Sequence, residues 1–356
     1  MQAINKQLTT KQSLVLMAVL FALLTGSALR LDACAQVSKL TIGEVHYFGY
    51  DGLDIDKVKT ALSDQIGKEI TPEKANVWLD QVKSAIRGAI GKEVNVDLNT
   101  VCCNPEGKFI LYIGLSGRST VKVPNNPAPT EKVNLPQNIV DLYQQITGEA
   151  LIKAMQKGKV SEDDTKGYAL FSDPTLRDLQ TALHEKALGN EAIIRQVLSL
   201  SADPKQRQAA AMALGYGQQS QDQIDALVRA CRDPDETVRN NATRALVVLS
   251  NSKSKWAEKI PGTEFIDMLN SPTWTDRNKG SGLLASLSEQ RDPQLLIALR
   301  AHAFQSLREM AYWDHDHAKF ARQILGRIGG IPEAQLEKMV ASDQADQIVK
   351  AATEKQ

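Results

Sequence analysis

The chain has 356 residues, a hydrophobic share of 42%, and 42 lysines and arginines balanced by 42 aspartates and glutamates. This composition is that of a globular chain long enough for two domains. Its zero net charge excludes the broad positive field of a nucleic-acid or anionic-membrane binder, and no dense Lys/Arg run supplies one locally.

The first element is a leader. Lys6 and Lys11 precede an almost wholly apolar run over residues 13–29, followed by Ala33-Cys34-Ala35 and Gln36. A short basic region, an apolar stretch and an A-x-A site predict a cleaved Sec-type signal peptide over residues 1–35, and an exported protein, periplasmic or secreted. The alternative is that residues 13–29 stay uncleaved as a membrane anchor. A lipoprotein reading would make Cys34 the first mature residue; Leu31 and Ala33 suit it and Asp32 does not. No second apolar run is long enough to span a bilayer, so any membrane contact is expected through this segment alone.

Cleavage would leave Cys102, Cys103 and Cys231, an odd number and no disulfide framework. In a strand, adjacent Cys102 and Cys103 point to opposite faces. One would fill core and the other would be a half-exposed thiol. A redox role for the pair is the alternative, which needs an exposed thiol of lowered pKa.

Residues 38–115 predict a small α+β domain in the order β-α-α-β-β. Residues 38–48 are rich in strand formers and end at Gly49-Tyr50-Asp51-Gly52. Ile55, Val58, Leu62 and Ile66 recur at helical spacing, with Asp54 as the expected cap. Thr71-Pro72 marks a second helix start, and Val77, Leu79, Val82, Ile86 and Ile90 are its expected apolar stripe. Residues 93–103 then alternate as a strand. Residues 104–107 turn, and residues 108–115 return. The order, the glycine after the first strand, Gly67 between the helices and the hairpin closed at Gly107 together resemble a POTRA-like module, a small domain of outer-membrane assembly and secretion proteins. That resemblance implies an edge strand able to recruit a partner strand by β-augmentation.

Residues 116–137 hold four prolines and no apolar periodicity, which predicts a linker. Residues 138–350 read as helix almost throughout. Within them Asp203-Pro204 and Asp233-Pro234 each open a segment with small alanines and an Ala-Leu pair, offset by 30 residues (233 − 203). Asp-Pro caps and starts a helix, while alanines let neighbouring helices approach. Residues 233–246 are similar to the second helix of a HEAT repeat, and residues 203–215 are a further copy lacking the Val-Arg step. Degenerate copies are expected at 175–188, 265–287 and 295–329, with a cap beginning at 331–340. The resemblance implies an all-α HEAT-like solenoid after the α+β domain, with Arg239 and Asp233 or Asp235 making contacts between repeats.

No catalytic, cofactor-binding or metal-binding residues are expected. His315 and His317 are two apart and lack the i, i+4 spacing of zinc ligands. The run from Asp51 to Asp56 lacks the length and terminal glutamate of a calcium loop. No P-loop, Rossmann glycine pattern or G-x-S-x-G occurs. Trp274 and Trp313 fall in irregular joints between repeats, where a large aromatic either fills a gap or forms a binding hot spot. The expected function is therefore a non-catalytic scaffold or adaptor that binds a protein partner on the concave surface of the HEAT-like repeats. The alternatives are an accessory or regulatory subunit of an envelope enzyme or secretion complex, and a thiol-based sensor through Cys102 and Cys103. A polar cluster converging between the two domains would favour the regulatory subunit.

Overall fold

The computed structural model of the chain describes residues 39–90, 94–102 and 104–355. The expected leader, its anchoring alternative and Cys103 lie outside the described residues, and of Cys102 only the backbone is described.

The N-terminal region is a four-stranded sheet with two helices on one face. Strand β1 (Leu40–Phe48) leads to α1 (Ile55–Ala61), which Asp54 caps by accepting from the Lys57 amide at 3.3 Å. The two-residue β2 (Glu69–Ile70) precedes α2 (Ala75–Ile90), and β3 (Val96–Cys102) and β4 (Phe109–Leu115) form the hairpin. The strand order is β2-β1-β4-β3. β1 runs parallel to β4, because the helix pair carries the chain back across the sheet, and β3 pairs antiparallel with β4.

The second helix buries Trp78, Val82 and Ile86, an i, i+4, i+8 stripe, whereas Val77 is among the most exposed apolar residues. Val82 and Ile86 of the expected stripe are buried and Leu79 and Ile90 pack beside them, while Trp78 takes the inward place expected of Val77. Trp78 fixes the phase by donating its indole N–H to Gln65 Oε1 at 2.7 Å.

Every residue of β4, Phe-Ile-Leu-Tyr-Ile-Gly-Leu, is buried. Phe109, Leu111, Ile113 and Leu115 face α1 and α2, while Ile110 and Tyr112 enter the core of the repeats together with Phe48 and Val101. The sheet is therefore the middle layer of a three-layer structure. Gly114 lets it sit close: a Cβ there would fall 2.7 Å from the Pro272 carbonyl oxygen.

The rest is helical. α3 (Gln137–Gln145) and α4 (Leu151–Gln156) flank a π-helical turn, Ile146–Ala150, in which Gly148 leaves helical geometry. A two-residue hairpin, β5 (Glu162–Asp163) with β6 (Leu170–Phe171), interrupts a region read from the sequence as free of strands. α5 (Pro174–Leu188) follows. The antiparallel pairs are α6 (Glu191–Leu200) with α7 (Pro204–Gly215), and α8 (Gln221–Ala230) with α9 (Glu236–Asn251). Next, the 3-10 segment Gly262–Asn270 pairs with α10 (Trp274–Leu287), and α11 (Pro293–Met310) with α12 (His315–Ile328). α13 (Glu333–Ala341) and α14 (Ala345–Glu354) close the stack.

Buried ion pairs tie each pair to the next. Arg207 binds Asp233 at 2.8 Å and the Ser201 carbonyl of its own turn at 2.8 Å. Arg239 repeats this with Asp276 at 2.9 Å and the Asp233 carbonyl at 3.0 Å. Asp235 caps α9 and also accepts from Gln208 of the preceding pair at 3.1 Å. The expected inter-repeat roles of Arg239, Asp233 and Asp235 are met, with Asp276 as the acid that Arg239 binds.

Candidate functional site

Three features meet where the sheet lies on the repeats. The first is a buried hub. Arg277, fully buried on α10, donates to Glu309 Oε2 of α11 at 3.5 Å, to the Ser271 carbonyl at 2.7 Å and to the Ser119 carbonyl at 3.3 Å. Its guanidinium lies 4.9 Å from the Phe48 ring centre. Glu309 accepts from the Gly49 amide at 2.6 Å and from Ser119 Oγ at 2.7 Å. Gly49 has φ +70°, the left-handed backbone that turns its N–H toward Glu309. Burial pushes the Arg277 pKa down to about 10, against the pull of Glu309. Burial raises Glu309 above the usual carboxylate range, although Arg277 and the hydrogen bonds to it act the other way. One ion pair thus joins the end of β1, the segment after β4 and two repeats.

The second feature is an aromatic and polar cluster around Tyr112. Its ring packs 5.1 Å from Trp274 and 5.2 Å from Trp313, and stacks on His46 at 5.5 Å. Its hydroxyl donates to Asp314 and lies 3.0 Å from His317 Nδ1, which is 2.6 Å from Asp314 Oδ1. Burial and then the charge of Asp314 hold the phenol well above its ordinary pKa, so Tyr112 is a neutral donor rather than a base or nucleophile. Trp274 and Trp313, the residues expected to bind a partner, are both buried, and the surface that covers them is this chain's own sheet. Trp313 donates to the Tyr47 carbonyl at 3.3 Å, while Trp274 Nε1 has no hydrogen-bond acceptor among the described residues. His317 joins the Tyr112 cluster rather than a solvated loop, and α12 starts at His315. Beside the cluster, a cleft of about 600 Å³ opens between sheet and repeats, lined by Glu44, His46, Asp314, Arg322, Asp343 and Asp346 among others.

The third feature is the segment read as a linker. It has no helix or repeating strand, yet it is fastened across the stack. The Val121 amide donates to Asn270 O at 2.8 Å, Asn126 to Arg232 O at 2.7 Å, and Glu131 to Leu200 O at 3.0 Å. Each acceptor lies at or just past the end of the first helix in successive pairs, where carbonyls lack intrahelical donors. Donors fall five residues apart, and Pro124, Pro127 and Pro129 between them hold the chain extended. Val123 and Leu135 are buried beneath it.

Asp97 of β3 reaches the same junction. Its carboxylate accepts from the Trp274 amide at 3.3 Å and from Asn99 Nδ2 at 2.5 Å. Burial raises its pKa to about 6, and the neighbouring carboxylates Glu236 and Asp276 add to the rise. The folded pKa lies above the unfolded one, so the charged form costs stability above pH 6 and that cost vanishes below pH 4. Asp97→Asn is therefore expected to stabilise the protein by about 1–2 kcal/mol at pH 7 and by little at pH 4. Urea unfolding of both proteins at the two pH values measures this difference.

Among the described residues, no group of three or more His, Cys, Asp or Glu side chains could hold a metal ion. Cys231 is buried, accepts from Thr243 Oγ1 at 3.2 Å, and has its pKa pushed up to about 12 by burial, which makes its thiol inert in the fold. The Tyr112 cluster and the Arg277–Glu309 hub escaped sequence reading. Their residues lie about 200 positions apart, or 32 in the case of the hub. The available signal was β4 itself: an apolar run with no polar parity requires cover on both faces.

Residues 191–257 match the family model for HEAT repeats, which covers α6 to α9. No curated protein matches the chain. Among solved structures, the designed armadillo repeat protein YIII(Dq)4CqI is similar, with 15% identity over 60% of this chain and 97% of that chain and a TM-score of 0.35. The small α/β region is followed by a stack of helix pairs, of which residues 191–257 match HEAT repeats.

Proposed function

We propose that this chain is an exported, non-catalytic scaffold that binds a protein partner along the outer edge of β3. The carrying observation is the sheet order: β3 is terminal, with no strand on its outer side among the described residues. The sheet behind it is fixed by α1 and α2 on one face and the repeats on the other. A rigid edge whose main chain is prearranged suits strand addition. Val-Asp-Leu-Asn-Thr-Val-Cys carries no proline or lysine to guard that edge. The likeness of the β-α-α-β-β order to a POTRA-like module supports the same reading, and the leader at residues 1–35 supports a periplasmic or secreted setting. The repeats serve as the platform, consistent with the interaction role common to helical-repeat folds.

A second reading, a regulatory subunit of an envelope enzyme, draws on the cleft between sheet and repeats. It would take its partner at His46 and Asp314 rather than at β3. A thiol sensor would act through Cys102 and Cys103.

Photo-crosslinking separates these readings. A photoreactive residue at Asn95, exposed just before β3, is expected to capture one partner that the same residue at Asp225, exposed on α8, does not. Capture from His46 but not from Asn95 would transfer the function to the cleft. Absence of any capture from both would contradict partner binding by the sheet.

A further inference from the structure

A separate feature lies near the start of the helical stack. A pocket of about 250 Å³ is lined by the π turn, α4 and the β5–β6 hairpin together with α7 and α9. Its walls are chiefly apolar, with Ile146, Leu151, Met155, Val160, Met212 and Val248 supplying most of the surface. Close-packed interiors leave few voids of this size. The two methionines let the walls adapt to a ligand, and π turns recur at functional sites.

The uncharged polar side chains of the wall are already satisfied within the chain. Gln180 accepts from the Phe171 amide at 2.8 Å and donates to the Tyr216 hydroxyl at 2.8 Å, which in turn donates to the Ala169 carbonyl at 2.9 Å. Thr147 donates to the Tyr143 carbonyl at 2.7 Å. Asn241 donates to the Gln208 carbonyl at 3.1 Å and accepts from Asn240 at 3.3 Å. The charged residues of the lining, Arg244 and Glu162, form an ion pair with each other, so the wall carries no net charge. Beyond the lining, the acid Asp164 and the cation Lys279 also act on this pair and leave its charge balanced. A polar or charged group entering the pocket would give up water and find no free partner. Apolar surface gains by the same move.

We propose that this pocket binds a neutral, apolar small molecule of about ten carbons, selected by shape and by the absence of charge. An apolar cavity of about 150 Å³ takes benzene. In proportion, about 250 Å³ takes a molecule the size of naphthalene. The site is independent of the β3 edge and stands or falls apart from it.

Naphthalene, 1-naphthoate and 1-naphthylmethylammonium share one ring system and differ in charge. Equilibrium dialysis of the purified full-length chain at pH 7 is expected to show one naphthalene per chain. Each charged analogue should bind at least about tenfold more weakly, because its charge would be desolvated without a partner. Benzene, which leaves part of the space empty, should also bind more weakly. Met212→Trp, which fills the pocket from α7, should abolish naphthalene binding. If that variant does not fold, crystals of the wild type soaked in 1-bromonaphthalene decide the matter, with the anomalous signal of bromine expected between α4 and α9. No saturable naphthalene binding, a charged analogue as tight as naphthalene, naphthalene binding unchanged in a folded Met212→Trp, or bromine found only elsewhere would each overturn the proposal.

Discussion

Glu309→Ala is expected to destabilise the protein by about 3–5 kcal/mol and to free the sheet from the repeats. The carboxylate is the acceptor for three elements at once: the Gly49 amide, Ser119 Oγ and the Arg277 guanidinium. Removing it leaves Arg277, which has no solvent exposure, as an uncompensated buried cation. Arg277→Met makes the mirror-image defect, a buried carboxylate held only by neutral donors. Urea unfolding should show a large loss in each single variant. The double variant Arg277→Met with Glu309→Leu should recover part of it, because apolar replacement removes both desolvation costs. The sign with pH is also fixed. Burial raises the folded pKa of Glu309, so the group's contribution to stability falls as pH rises from the ordinary carboxylate value through that raised value. Loss of Arg277 raises it further, and the Arg277→Met deficit should be larger at pH 8 than at pH 5. A loss below about 1 kcal/mol in both single variants would mean that the pair is incidental.

Tyr112→Ala should cost about as much, roughly 3–5 kcal/mol, by a different route. The ring fills the space between Trp274, Trp313, His46 and His317, on the face of β4 opposite α1 and α2. Its removal leaves the core of Phe109, Leu111, Ile113 and Leu115 intact on the other face. The sheet with its helices and the repeats would then each keep a core while losing the packing between them. Calorimetry should resolve two thermal transitions where the wild type shows one, and proteolysis should begin cutting within residues 116–135. Tyr112→Phe keeps the packing and loses only the hydrogen bonds to Asp314 and His317. It should cost about 1–2 kcal/mol and preserve the single transition. A single transition in Tyr112→Ala would show that the segment across the turns, rather than the aromatic face, couples the two parts.

The repeats were the most legible part of the fold. Asp-Pro at 203 and 233, the alanines after each, and Arg239 state a local rule: cap, start, approach closely, pair with the next turn. The two helices on a sheet were legible from periodicity and turn residues, apart from Val77, which faces outward on α2. Val77 and Trp78 are adjacent apolar residues; the i, i+4, i+8 spacing with Val82 and Ile86 turns Trp78 inward, and Gln65, 13 positions away, accepts from its indole. The segment after β4 misled because its anchoring uses main-chain donors and helix-end carbonyls, which leave no side-chain pattern. Its prolines were read as marking a linker, and here they keep an extended chain straight between anchors. Of the two readings given to Trp274 and Trp313, both side chains fill the core between sheet and repeats. Sequence spacing could not say that Tyr112 would cover them. β5 and β6, two residues each, fall below any periodic signal.

Partner binding is tested most directly by recovering the tagged full-length chain from its native cells after crosslinking, with every co-purifying protein quantified by mass spectrometry. The scaffold reading predicts one envelope protein at near-stoichiometric yield, crosslinked to peptides that contain residues 94–102. A monomer recovered without any stoichiometric partner would contradict it.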